Sequence, residues 1–161
     1  MDDLFFNDDH ILIRDTVKKF ADEKIMPIAR EMDKTGEFPK KLVAEMSQLG
    51  FMGFHIPKKY GGAELDMISY AMVIIELARA DASVAITMAA HTSLGTLPLL
   101  ILGNDDQKRK FLPDIASGKS LSAFGLTEPN SGSDAGACKT KAILRGDYYI
   151  VNGGKIFITN A

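Results

Sequence analysis

Through the first two-thirds of the chain, apolar positions recur at three and four residues. Ile13, Val17, Phe20 and Lys24 keep the 4-3-4 spacing of one helix face, with the Lys stem covering apolar surface beside its neighbours. Asn7 or Asp8 can cap this helix, and acids at its start suit the helix dipole. Pro27 is expected to kink or end it. A short helix is predicted from near Pro39, a favoured first-turn residue, to Gly50. FMGFHIPKKYGG, Phe51 to Gly62, reads as a connector, with Tyr60-Gly61-Gly62 as a structural turn. Asp66 can cap a third helix, whose Tyr70, Val73, Ile74 and Leu77 share a face. Ser83 opens a fourth helical segment with no charged residue as far as Gly103. A helix uncharged all round is buried in a core or lines a pocket. Pro98 should bend it, and Gly103 is a candidate for its C-cap. Asn104 and Gln107 have the spacing of a capping box, so a fifth helix is predicted over DDQKRKFL, ending at Pro113.

After Gly118 the period shortens. Leu121–Leu126, Lys139–Leu144, Tyr148–Asn152 and Lys155–Thr159 read as four short strands, with Arg145-Gly146-Asp147 and Gly153-Gly154 as turns. The fold class expected is therefore α+β: an all-α domain over residues 1–118, then the first antiparallel strands of a β-domain over 119–161. Asn160-Ala161 follows the last strand with no return strand. Short strands rarely stand without more strands or a covering helix, so the chain reads as a piece of a longer protein.

Composition narrows the field. With 161 residues and 46% hydrophobic content, the chain can bury a real core and is not a disordered segment. A net charge of -2 gives no reason to expect a nucleic-acid partner or an anionic membrane. Apolar runs such as Tyr70–Leu77 are too short to span a bilayer. The start, MDDLFFNDDH, lacks the basic and apolar regions of a secretion signal. A single cysteine, Cys138, excludes an internal disulfide. A cytoplasmic protein is expected. His10, His55 and His91 share no metal-ligand spacing, so no metal is expected.

The candidate chemistry lies in FGLTEPNSGSDAGA, Phe124 to Ala137. A phosphate loop presents backbone N–H groups at a helix start and is usually helped by a cation. Here neither GxGxxG nor GxxxxGK[ST] is present, and no Lys or Arg lies between Lys119 and Lys139. Glu128 and Asp134 would repel a diphosphate. The loop suits a neutral, flat, polar-edged ligand such as a flavin ring, whose edge the Thr127 hydroxyl and loop backbone could match. The competing reading is a plain connector rich in turn formers.

FGLTEPNSGSDAG, followed by NGGKIFITNA, resembles the acyl-CoA dehydrogenase family. That family's pattern is an aromatic, two residues, Thr-Glu-Pro, two residues, Gly-Ser-Asp, and later Gly-x-Lys-x-[Trp/Phe]-Ile-Thr-Asn. PKKYGGAELD, ELARADAS and GNDDQKRKFLP extend the likeness over nearly the whole chain. The resemblance implies FAD as cofactor, an acyl-CoA substrate, electron-transfer flavoprotein as electron acceptor and a homo-oligomer. It implies a helical domain, a middle β-domain and a C-terminal helical domain, of which this chain matches the first and opens the second. The catalytic carboxylate is expected in the C-terminal part, so no catalytic residue is assigned here.

By the same resemblance, Phe124, Gly125, Leu126 and Thr127 form one flavin-binding segment, and Phe157, Ile158 and Thr159 a second. Phe157 would lie by the ring and Thr159 near N5. Ser133 matches the residue that meets both FAD and the thioester arm of the substrate. Glu128 is expected to anchor the loop through backbone hydrogen bonds rather than act as base, and Asp134 likewise. The stretch His91–Leu99, with Ser93, Thr96 and Leu97, either lines an acyl cavity or is core. The same scaffold could serve an acyl-CoA oxidase or a flavin monooxygenase, or the chain could be a non-catalytic helical fragment.

Overall fold

The computed structural model describes residues 6–161; residues 1–5, within the stretch read above as lacking a secretion signal, lie outside the described residues. Helix α1 (Asp8–Phe20) starts at Asn7, whose side chain accepts from the His10 N–H, while the His10 ring accepts from the Asn7 N–H. Val17 and Phe20 are buried, and Ile13 packs against the same core. Pro27 does not end the helix. A π-helical turn, Ala21–Ile25, precedes it, and α2 (Met26–Thr35) continues. A proline inside a helix loses its N–H and crowds the carbonyl four residues back. For Pro27 that carbonyl belongs to Glu23, inside the widened turn, where the ladder is already shifted.

Helix α3 (Lys40–Gln48) and the connector Phe51–Gly62 follow as expected. The connector is not a surface loop: Phe51, Met52, Phe54, Ile56 and Tyr60 are all buried. Asp66 caps α4 (Met67–Ala80) by accepting from the Ser69 N–H at 2.8 Å. Its other oxygen meets His10 Nε2, also at 2.8 Å, so the starts of α1 and α4 share one polar clamp. The Ser69 amide first, and His10 second, hold the Asp66 carboxyl down to about 2.

Asp81, not Ser83, caps the fourth segment, accepting from the Val84 N–H at 2.9 Å. It runs as α5 (Ala82–Ala89), a second π-helical turn (Ala90–Thr96) and α6 (Leu97–Leu102). Pro98 is accommodated as Pro27 is, four residues after a π-turn carbonyl. Gly103 closes α6 in an extended conformation, its N–H bonding the Leu99 carbonyl. By length and composition this 21-residue helix could cross a membrane. Its buried side, however, carries His91, Thr92 and Thr96 and faces the rest of the domain. Helix α7 (Asp105–Ala116) begins with the expected Asn104–Gln107 box. It runs through Pro113 instead of ending there, because Leu112 and Ala116 on either side are buried against Ile56 and Tyr60. The main core gathers Val17, Phe20, Ile25, Met46, Phe51, Val73, Leu77, Val84 and Met88 between α1, α3, α4, α5 and the connector.

Two of the four predicted strands form. β1 (Lys141–Arg145) pairs antiparallel with β2 (Tyr148–Asn152), Ile143 opposite Ile150. Gly146, at φ +59°, opens the two-residue turn, as a tight hairpin of this length requires. Both strands are exposed on both faces. Leu121–Leu126 is extended but joins no ladder among the described residues, and Lys155–Thr159 is interrupted by Phe157 at φ +58°.

Replacing Asp66 by Ala should cost about 1 kcal/mol in urea unfolding, the usual worth of a helix N-cap. The unsubstituted carboxylate stabilises fully above its ordinary value of 3.8, and that contribution falls away as the pH drops through about 2. The difference between Asp66→Ala and the parent chain should therefore shrink between those values.

Candidate functional site

The two segments singled out by sequence meet. The Ile156 N–H donates to the Thr127 carbonyl at 2.9 Å. Lys155 Nζ reaches back across the junction to the Leu126 carbonyl at 2.8 Å and to Glu128 Oε1 at 2.9 Å. A Cβ added at Gly125 would touch the Lys155 stem at 3.4 Å, so the two backbones run close together.

Glu128 sets this junction. Its carboxylate is buried and accepts from the Lys139 N–H at 2.6 Å, the Thr140 N–H at 2.9 Å and Lys155. The neighbouring Thr140 hydroxyl, the Lys139 amide and the Lys155 ammonium hold it well below the ordinary carboxylate range. A group so engaged is a poor proton acceptor. The expected anchor role for Glu128 is what its geometry provides. Asp134 differs from expectation: its backbone carbonyl, not its carboxylate, makes the loop's hydrogen bonds, accepting from Ser131 Oγ at 2.7 Å and from the Ala137 N–H. The side chain is exposed. Cys138 lies before β1 rather than in a strand, its Sγ 3.8 Å from Lys155 Nζ.

Exposed apolar residues adjoin the junction in the chain. Phe124 and Leu126 are exposed, and Phe157 is the most exposed large apolar residue, at 89%. Its backbone is left-handed, at φ +58°, uncommon for a residue other than glycine. Ile158 is half-buried and Thr159 exposed. The hydroxyls of Thr127, Ser133 and Thr159 have no hydrogen-bond partner among the described residues. Ser133 sits on the turn beyond the Glu128–Ser131 bridge, and no hydrogen bond ties it to either segment. The structure thus joins Gly125–Glu128 to Lys155–Ile156 and leaves Ser133 apart. Exposed apolar and aromatic residues together with unengaged hydroxyls are the chemistry a flat ligand with a polar rim requires.

Two residues at this site were not singled out by sequence. Lys155 was read only as part of a motif, and the loop was taken to lack a cation. It is supplied from 27 residues downstream of Glu128. Asn160, at φ +69°, donates from Nδ2 to the Thr87 carbonyl at 2.9 Å and to the Ser122 carbonyl at 3.3 Å. An Asn visits the left-handed region more readily than most residues, whereas nothing local to Lys155, directly after Gly153-Gly154, marks its reach to Glu128.

Comparison with known proteins gives the same picture over the whole chain. The profile of the acyl-CoA dehydrogenase N-terminal domain matches residues 7–119, and that of the family's middle domain matches residues 123–161. An acyl-CoA dehydrogenase of Bacillus subtilis is 47% identical over 152 residues, which are 94% of this chain and 40% of that protein. A chain solved with the electron transferring flavoprotein of Acidaminococcus fermentans as its subject superposes with a TM-score of 0.92 at 41% identity, covering 96% of this chain and 41% of that one. An acyl-CoA dehydrogenase complexed with FAD, from Bacillus anthracis, superposes at 0.91 with 39% identity, over 97% of this chain and 27% of that one. The chain spans about 40% of the length of the curated relatives it matches. With both its helical part and its β-part matched in order, the chain belongs to the acyl-CoA dehydrogenase family.

Proposed function

We propose that this chain supplies one wall of the flavin site in an FAD-dependent enzyme that removes hydrogen across the α,β-bond of an acyl-CoA thioester. The observation that carries the reading is the junction of Thr127 with Ile156, next to the exposed apolar residues Phe124, Leu126 and Phe157. The flavin, when bound, accepts the hydride. The residues of this chain orient and shield. Phe157 and Phe124 offer aromatic surface for stacking. Thr127 and Thr159 would offer hydroxyls to the polar edge of a bound flavin. Ser133 serves the cofactor and the substrate's thioester arm together. Holding substrate and ring face to face lowers the barrier by orientation.

Glu128 is not the base in this reading, because its oxygens are occupied by Lys139, Thr140 and Lys155. The proton-abstracting carboxylate comes from the portion of the relatives that this chain does not span, and the 161 residues alone are inactive. Electron-transfer flavoprotein is the proposed acceptor, supported by the likeness to the Acidaminococcus chain. The functional form is proposed to be a homo-oligomer in the cytoplasm.

Joining residues 1–161 to the remainder of the Bacillus subtilis relative gives the test. The chimera should purify yellow, butyryl-CoA should bleach its visible band without oxygen, and the unjoined chain should not turn over butyryl-CoA. Rapid reoxidation by air would favour an oxidase on the same scaffold. A folded, colourless chimera would overturn the flavin reading. In that chimera, Thr159→Val should slow bleaching about tenfold, the worth of one hydrogen bond. Glu128→Gln should lower the unfolding temperature but slow bleaching by less than tenfold, whereas a general base contributes roughly 10²–10⁴-fold. Because its carboxyl is held low, Glu128 contributes stability in full above its ordinary value of 4.5, and that contribution is lost only well below it.

A further inference from the structure

The π-helical turn Ala90–Thr96 holds polar residues that the flavin reading leaves unused. His91 is fully buried. Its Nδ1 lies 3.0 Å from the Ser122 N–H and its Nε2 3.1 Å from the Met52 carbonyl. An amide can only donate, so Nδ1 accepts; a carbonyl can only accept, so the ring proton sits on Nε2. The ring is therefore neutral and bridges two backbone segments. Burial also pushes its pKa down.

Ser122 is the point where these bonds converge. Its N–H goes to His91, its hydroxyl lies 3.3 Å from Thr96 Oγ1, and its carbonyl accepts from Asn160. Thr96 Oγ1 already donates to the His91 carbonyl at 2.6 Å, so the Ser122 hydroxyl is the donor to Thr96. Gly95 completes the arrangement. A Cβ there would overlap the Ser122 side chain and backbone, so only glycine lets the helix approach this closely. Ser122 stands two residues before Phe124, and Asn160 one residue after Thr159. Each wall segment is thus fastened at its outer end to the same helical turn, through one serine.

We propose that His91 is a positioning residue: seated in the π-turn, it fixes Ser122 and so sets the spacing between the Phe124–Thr127 and Phe157–Thr159 segments. Its consequence for cofactor binding rests on the flavin reading; the positioning itself does not. Nothing in this arrangement touches the reacting atoms.

Two substitutions separate positioning from mere filling of space. His91→Gln keeps a donor and an acceptor, while His91→Phe keeps the bulk and removes both. The first readout is amide hydrogen exchange in the 161-residue chain, taken at Ile156, whose N–H bonds Thr127 and does not touch His91. His91→Phe should speed exchange there at least tenfold with the amides of α1 and α4 unchanged, and His91→Gln should restore it to within threefold. Gly95→Ala, which leaves His91 in place, should speed the same amide, so the test survives a poorly folded His91→Phe. The second readout is FAD titration of the chimera. His91→Phe should weaken binding at least tenfold and shift the visible flavin band, and His91→Gln should reverse both. Equal Ile156 exchange in all four chains, or a Gln variant indistinguishable from Phe, would overturn the proposal. An exchange contrast of the expected form in the 161-residue chain, together with a folded chimera that takes up no FAD, supports the positioning role and overturns the flavin reading alone.

Discussion

A carboxylate taken out of water must have its lone pairs filled, and Glu128 meets that demand with two backbone amides and an ammonium. Most of the β-part's geometry follows. The amides of Lys139 and Thr140 must come to it, which folds the Gly-rich stretch Pro129–Cys138 back on itself. Lys155 must come to it as well, which carries the last segment across Leu126 and lets Ile156 bond Thr127. One side chain therefore closes a loop and joins two segments distant in sequence. Removing it would take the acceptor from the Lys139 and Thr140 amides at once, a costlier change than losing a surface ion pair.

The helical part answers to a different constraint. Three helical stretches contain a proline, Pro27, Pro98 and Pro113, and in two of them a π-turn precedes it. A π-turn takes one residue more than an α-turn, so the apolar stripe changes phase there. The stripe of Ile13, Val17 and Phe20 accordingly does not continue into α2, which has no fully buried residue. The second π-turn does more than absorb Pro98. It brings His91, Gly95 and Thr96 to one side, where the wall segments are tied.

Much of this was legible in the sequence. Asn7, Asp66 and the Asn104–Gln107 pair are capping residues whose chemistry is local, and each acts where it was expected. The αL glycine after α3 and the hairpin turn were legible for the same reason. What was misread depends on partners distant in the chain. Pro113 does not end α7, because burial of Leu112 and Ala116 outweighs one lost hydrogen bond. Leu121–Leu126 has the alternation of a strand, yet its polar backbone groups are met by His91, Asn160 and Lys155 rather than by a ladder. At the site, the two segments were identified by motif, whereas Lys155, His91 and Asn160 act through contacts that no local spacing encodes.

The β1–β2 ribbon carries Ile143, Leu144, Tyr149, Ile150 and Val151 in contact with solvent, and among the described residues no further strand pairs with its two outer rims. Rims of this kind are templates for adding strands, whether from the same polypeptide or from a stranger. Left bare at high concentration, the ribbon is the place where self-association would begin. The main core draws no residue from the ribbon, but solubility of the whole depends on what comes to lie along those rims.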